Sequence, residues 1–180
     1  MVFFLKSPCK HSFVLLPYYR KVVVKIGLSG WSHSLCGVHR HTDAGCITVL
    51  RQYAGEPSSL QVLSGGSWRK VVPAPGALTI NIGDMMQVLS NGRYQAPLHR
   101  VLGDAARTRY SAPFFFNPSY EAILEPVLSG EREEPRYAPL PWGEFRRKRF
   151  EGDLGDQGVA EVQISDFCLH PSSALGRSSL

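Results

Sequence analysis

Between residues 22 and 117 the chain repeats one pattern, a short apolar or alternating run followed by a cluster of Gly, Pro, Ser or Asn. The runs are VVVKI, CITVL, LQVL, WRKVV, ALTIN, PLHRVL and RYSAPFFF. Short strands with frequent turn signals read as an all-β sandwich or barrel. The punctuation has a mechanism. GEPSS and SGGS supply flexible connections, while Pro73, Pro75 and Gly76 in VVPAPGAL turn the chain without needing every backbone donor.

One short helix is predicted inside this succession, at GDMMQVLSNGRY. Asp84 is placed to accept bonds from the free amides of the first turn, Gln87 stands three positions on as in a capping box, and Asn91 with Gly92 suits a left-handed cap. After Pro118 the texture changes. Pro126, Pro135, Pro139 and Pro141 mark an irregular stretch, followed by a charged helix candidate, GEFRRKRF. With 180 residues and 43% hydrophobic content, one domain is the working assumption. It divides into a leader over 1–36, a core over 37–118 and a tail over 119–180 packed on that core.

The net charge of +5 and pI near 9.2 suit an anionic partner. The basic residues are scattered, however, except for Arg146, Arg147, Lys148 and Arg149. That run reads as a solvated helix face, so no nucleic-acid partner is expected. The four cysteines show no CxxC spacing, which points to a reduced, intracellular protein. No apolar run approaches the roughly 18 residues of a membrane span, and Lys6, Pro8, Lys10 and Pro17 break the leader as a signal peptide. A cytoplasmic monomer is the expectation. The terminal Ser178, Ser179 and Leu180 offer a faint peroxisomal alternative that lacks the lysine of that address.

The chemistry concentrates in GVHRHTDAGCITVL. His41 and Asp43 are two apart, so on an extended backbone both project to one face. His99, in a later strand-like run, is the candidate third ligand. Two imidazoles and a carboxylate cover one face of an octahedron and leave the opposite positions open, as in non-haem Fe(II) oxygenases. An HxD pair alone is weak evidence, because a lone histidine usually just satisfies a hydrogen bond.

RTRYSAPFFFNPS adds weight. Alternation puts Arg109, Ser111, Pro113 and Phe115 on one face. Leaving a buried arginine unpaired costs several kcal/mol, so an interior Arg109 calls for an anion, which a guanidinium holds through two parallel bonds with Ser111 adding a third. In the alternative, Arg109 sits in water at the strand end. Phe115 is the candidate substrate wall, and two of Phe114, Phe115 and Phe116 are expected to be ordinary core. His39 shares the face of His41 but precedes the motif; His33 and His170 are read as exposed. Cys46 is read as a packed small hydrophobe. A catalytic zinc site uses similar donors, but the sequence shows no HExxH-like glutamate beside a ligand histidine.

HTDAG, the GALTINIGDMMQVLSNGRYQAPLHRV block and RYSAPFFFNPS together resemble the C-terminal catalytic half of the Fe(II)/2-oxoglutarate-dependent dioxygenases of the isopenicillin N synthase-like superfamily. PRYAPLPWGEFRRKRFEGD and EVQISDF resemble tails of some members. The resemblance implies a double-stranded β-helix, or jelly roll. It also implies that His41, Asp43 and His99 ligate iron, that Arg109 and Ser111 hold the distal carboxylate of 2-oxoglutarate, and that Phe115 lines the substrate site. Oxygen would be the oxidant and ascorbate an optional stimulant. The implied reaction is hydroxylation or desaturation of a small metabolite, with succinate and CO2 as co-products.

Residues 1–36 carry no family motif; Tyr18 and Tyr19 have the chemistry of the family's upstream tyrosine without its motif, and VVVKI stands where a core strand is wanted. Two other readings stay open. One is a truncated non-catalytic paralogue that binds metal or a full-length partner, and the other an oxygenase that holds the substrate's own carboxylate in place of 2-oxoglutarate.

Overall fold

The computed structural model describes residues 2–6, 24–26, 36–53, 59–103, 109–154 and 162–169, with side chains over 37–53, 59–103, 110–149 and 162–169. Two antiparallel sheets carry the fold. The first has the order β1-β7-β4-β9-β2, built from β1 (Val2–Lys6), β2 (Val24–Ile26), β4 (Ile47–Gln52), β7 (Ala77–Ile82) and β9 (Arg109–Phe116). The second has the order β3-β8-β5-β6, built from β3 (Cys36–His41), β5 (Leu60–Ser64), β6 (Ser67–Lys70) and β8 (His99–Leu102). Apart from the β5–β6 hairpin, neighbours in these sheets are not consecutive in sequence, which is the crossover pattern of a jelly roll.

The sequence-predicted runs become strands, VVVKI among them, since Val24–Ile26 pairs with Ser111 to Arg109 of β9. Strand β1, paired with β7 over Val2–Lys6, has no counterpart in the sequence reading. Between β5 and β6, Gly65 (φ 59°) and Gly66 (φ 76°) make a two-residue turn with both residues left-handed, the geometry whose twist matches a hairpin.

The two inner faces differ in kind. The four-stranded sheet turns Val38, Leu60, Val62 and Val101 inward, whereas the five-stranded sheet turns in Thr48, Leu50, Thr79, Asn81 and Ser111. Buried polar side chains need partners, and here Gln52 Nε2 donates to Thr79 Oγ1 at 3.1 Å. A polar sheet face opposite an apolar one leaves a lined cavity of about 280 Å³ rather than a filled core.

The larger buried cluster lies elsewhere. Val88 of helix α1 (Asp84–Leu89) packs with Leu124, Tyr137, Leu140, Ile164, and Trp142 and Phe145 of helix α2 (Trp142–Leu154). Leu124 and Leu140 are brought together by the pairing of β10 (Ile123–Leu124) with β11 (Leu140–Pro141). Burying each such large apolar side chain contributes roughly 1.5–3 kcal/mol, so the residues after Pro118 supply much of the apolar packing that fixes α1.

Helix α1 begins as foreseen at Asp84 but is not capped as foreseen. Gly83 is the cap residue and makes no side-chain bond. The first amides are instead taken by loop carbonyls: Gly83 N–H donates to Cys46 O (2.9 Å), Asp84 N–H to Asp43 O (2.7 Å) and Met85 N–H to Ala44 O (3.3 Å). Gln87 is equally diverted, donating to Tyr137 Oη at 3.0 Å and accepting from Ala96 N–H. The other end matches expectation: Asn91 (φ 52°) and Gly92 (φ 78°) are left-handed, with Gly92 N–H bonded to Gln87 O.

Candidate metal centre

His41 and His99 stand opposite each other across the β3–β8 ladder, and two register shifts in β3 lie just before His41. Such bulges re-aim a side chain and terminate pairing. The rings lie with centroids 4.3 Å apart. In each, Nδ1 lies against the carbonyl two residues back, His39 O at 2.7 Å and Pro97 O at 3.0 Å. Donation of the Nδ1 proton there leaves each Nε2 with its lone pair free, the arrangement that orients metal-ligating imidazoles.

Both Nε2 atoms face one oxygen, Asp43 Oδ1, at 3.6 Å each. The other oxygen is spoken for. Asp43 Oδ2 accepts from Thr48 Oγ1 at 2.5 Å and from Asn81 Nδ2 at 2.8 Å. Thus one oxygen anchors the carboxylate and the other is left towards the histidines. The three ligand atoms lie within 4.8 Å of one another. Two imidazole nitrogens and one carboxylate oxygen form a donor set that fits Fe(II). The predicted grouping of His41, Asp43 and His99 is therefore a grouping in space.

Electrostatics follow from the same contacts. Burial acts to raise the Asp43 carboxyl, but His41, His99, Asn81 and Thr48 hold it well below the usual carboxylate range. Burial lowers His41, yet the bond to Asp43 and the His39 carbonyl outweigh it and its pKa lies above the ordinary value. For His99 burial wins over the pull of Asp43, and its pKa lies below. A fixed anion with two imidazoles around it is a site for a cation.

The loop between the ligands is gripped from the far end of the chain. Arg149 of α2, 3% exposed, pairs with the wholly buried Asp84 Oδ2 and donates through Nη2 to Thr42 O (2.8 Å) and Thr42 Oγ1 (3.1 Å). Thr42 Oγ1 also donates to Asp84 Oδ2 at 3.2 Å. This corrects the reading of Arg146 to Arg149 as a solvated face. Helical spacing turns Arg149 inward beside Phe145, whereas Arg147 and Lys148 are exposed. Space is equally tight beneath the loop, where a side chain on Gly83 would overlap Gly45 O and Asp43 O.

Strand alternation on β9 is as foreseen: Ser111, Pro113 and Phe115 all line the cavity that His41, Asp43 and His99 also line. Ser111 is buried. Arg109 sits at the head of β9 opposite Ile26, and its side chain lies outside the described residues. The phenylalanines overturn their expectation. None of the three is buried; Phe115 is 41% and Phe116 51% exposed, although all three are paired with Ile47 to Val49 of β4 at the end of β9. His39 is exposed and contributes its carbonyl only, and Cys46 is buried as expected. His33 and His170 lie outside the described residues. A second cavity, about 220 Å³, shares His41, Asp43 and Phe115 with the first and adds Asn117, Arg146 and Arg149.

Comparison with known proteins agrees with this geometry. The family model described as 2OG-Fe(II) oxygenase superfamily matches residues 11–118, beginning upstream of the expected boundary at 37. The chain is 43% identical over 111 residues to 1-aminocyclopropane-1-carboxylate oxidase 5 of Arabidopsis thaliana, covering 61% of this chain and 36% of that protein. It is 39% identical over 134 residues to the 2-oxoglutarate-Fe(II) type oxidoreductase hxnY of Emericella nidulans, covering 72% and 38%. Among solved structures, the rice dioxygenase for auxin oxidation superposes with a TM-score of 0.58 at 34% identity, covering 65% of this chain and 41% of that one. JOX2, crystallised with 2OG, Fe and JA, gives 0.58 at 32% identity, covering 62% and 33%. The chain spans little more than a third of the length of the curated relatives it matches.

Proposed function

This chain belongs to the 2OG-Fe(II) oxygenase superfamily, and from that premise we propose that it is a 2-oxoglutarate-dependent dioxygenase acting on a small organic metabolite. In this reading His41, Asp43 and His99 hold Fe(II), Arg109 and Ser111 hold the far carboxylate of 2-oxoglutarate, and Phe115 walls the substrate. The observation that carries it is the division of labour at Asp43, with Oδ2 fixed by Thr48 and Asn81 and Oδ1 left facing two Nε2 atoms. The bound iron supplies the activation of O2 for oxidation of substrate, with 2-oxoglutarate converted to succinate and CO2.

The chain's own contribution is placement. Nδ1 donation to His39 O and Pro97 O holds both imidazoles in one tautomer and orientation. The apolar face of Val38, Leu60, Val62 and Val101 excludes water from the co-substrate cavity. Ser111 offers a hydroxyl on the opposite wall, at the position that strand alternation shares with Arg109.

Mn(II) titration followed by 2-oxoglutarate titration, both by calorimetry, tests the site. His41→Ala and Asp43→Ala should abolish metal binding, and Arg109→Ala should leave metal binding intact while weakening 2-oxoglutarate by about tenfold to a hundredfold. Full metal affinity in either triad variant removes the assignment. Succinate formation with Fe(II) then separates an oxygenase from a chain that binds metal and co-substrate without turning over.

A further inference from the structure

Helix α2 places Arg146 half-buried on the wall of the second cavity. Side chains three and four residues away on a helix are the ones in reach, and for Arg146 these are Trp142, Gly143, Arg149 and Phe150, none of them acidic. Among the described residues it has no hydrogen bond or ion pair. Its neighbours differ: Lys148 Nζ pairs with Glu144 at 2.7 Å, and Arg149 is neutralised by Asp84. A half-buried guanidinium with no counter-ion among the described residues, facing a cavity, is placed to take an anion from outside the chain.

We propose that this cavity receives the carboxylate of the organic substrate and that Arg146 is the residue that binds it, a specificity that rests on the iron and 2-oxoglutarate reading above. The guanidinium selects the anion. With Arg149 paired to Asp84, and the Asp43 carboxylate on the same wall committed to the metal in the reading above, Arg146 is the cation left for a ligand, a single guanidinium suited to one carboxylate. The planar fork of arginine takes a carboxylate through two parallel bonds, and Asn117 on the same wall has an amide to offer.

Position separates this pocket from that of the co-substrate. Ser111 and His99 line the first cavity only, while Arg146 lines the second and not the first; His41, Asp43 and Phe115 are common to both. A substrate held by its carboxylate at Arg146 therefore lays its apolar body along Phe115 and points towards the ligand face of His41 and Asp43. The co-substrate reaches the same face from the Ser111 side.

The test uses the full chain loaded with Mn(II) and 2-oxoglutarate, titrated with 3-phenylpropionate and its uncharged mimic 3-phenylpropionamide. The acid should bind at least about tenfold more tightly than the amide. Arg146→Gln should erase that preference, Arg146→Lys should keep part of it, and Arg147→Gln should keep all of it. Equal affinity for acid and amide in the unaltered chain, or a preference that survives Arg146→Gln, overturns the pocket. Affinity for 2-oxoglutarate is read in the same samples. Its retention alongside a missing acid preference refutes the Arg146 pocket alone, and failure of Mn(II)-dependent 2-oxoglutarate binding refutes the metal reading and the pocket with it.

Discussion

Replacing Arg149 with methionine asks whether the metal loop is held from the C-terminal helix. The substitution keeps an apolar stem and removes the guanidinium that meets Asp84 Oδ2, Thr42 O and Thr42 Oγ1. Asp84 is 0% exposed and its Oδ1 has no hydrogen-bond partner among the described residues. The variant thus strands a buried carboxylate. Removing one member of a buried pair costs roughly 3–5 kcal/mol, but protonation sets a ceiling. Neutralising a carboxyl of ordinary pKa costs about 4 kcal/mol at pH 7 and about 1.5 kcal/mol at pH 5.

Burial already raises Asp84 above the ordinary range, against the pull of Arg149 and Thr42, and without Arg149 it rises further. A carboxyl raised in the folded state binds its proton more tightly folded than unfolded. Stability of the variant is then greatest below the unfolded pKa and falls as pH rises through the folded one. Urea denaturation of the metal-free chain should show a loss of about 3–4 kcal/mol at pH 7.5 and about 1–2 kcal/mol at pH 5. Adding Asp84→Asn should recover at least about 1 kcal/mol at pH 7.5. A loss below about 1 kcal/mol at pH 7.5, or an equal loss at both pH values, would refute the reasoning.

Gly83→Ala should cost roughly 1–3 kcal/mol by overpacking and weaken Mn(II) binding in calorimetry, because the new methyl displaces the carbonyls of Gly45 and Asp43; unchanged metal affinity would uncouple the loop from α1. At the opposite end of α1, Glu133 accepts from Ser129 N–H, from Asn91 Nδ2 and from Arg93, and its carboxyl is held down to about 2. A depressed carboxyl stabilises above its unfolded value, near 4.5, and that stabilisation is lost as pH falls towards 2. The gap in melting temperature between Glu133→Gln and the unaltered chain should therefore be widest above pH 5 and close towards pH 2; a gap constant over that range contradicts the assigned contacts.

Strand alternation and ligand chemistry are local properties, so they can be read from sequence. His41 and Asp43 share a face by their spacing of two, His99 sits in a strand-like run, and Ser111, Pro113 and Phe115 share a face for the same reason. What escaped detection depends on partners far along the chain. Asp84 looks like a cap in its own neighbourhood, and only the return of α2 makes it the counter-ion of Arg149. Thr48 and Asn81 read as ordinary polar positions in strands; what makes them anchors of Asp43 is the adjacency of β4 and β7. A signal existed in each case. In ITVLRQ and ALTINI the alternate residues Thr48, Gln52, Thr79 and Asn81 are polar yet buried, the pattern of a sheet that lines a site. Binary reading inverts it, taking the polar parity for the solvent side. The expected burial of two of the three phenylalanines failed for a related reason: an aromatic run predicts burial, whereas the end of a strand leaves it half done.

The two histidines belong to the four-stranded sheet, while the carboxylate between them is tethered through Thr48 and Asn81 to the five-stranded one. An ion held by all three is a clasp across the sandwich, and its affinity is a gauge of the distance between the layers. Any guest large enough to prop the layers apart loosens the clasp. By thermodynamic reciprocity the closed clasp must exclude that guest by the same factor, so the metal would act as a size filter on what the cavity admits, through a coupling that needs no contact between ion and guest.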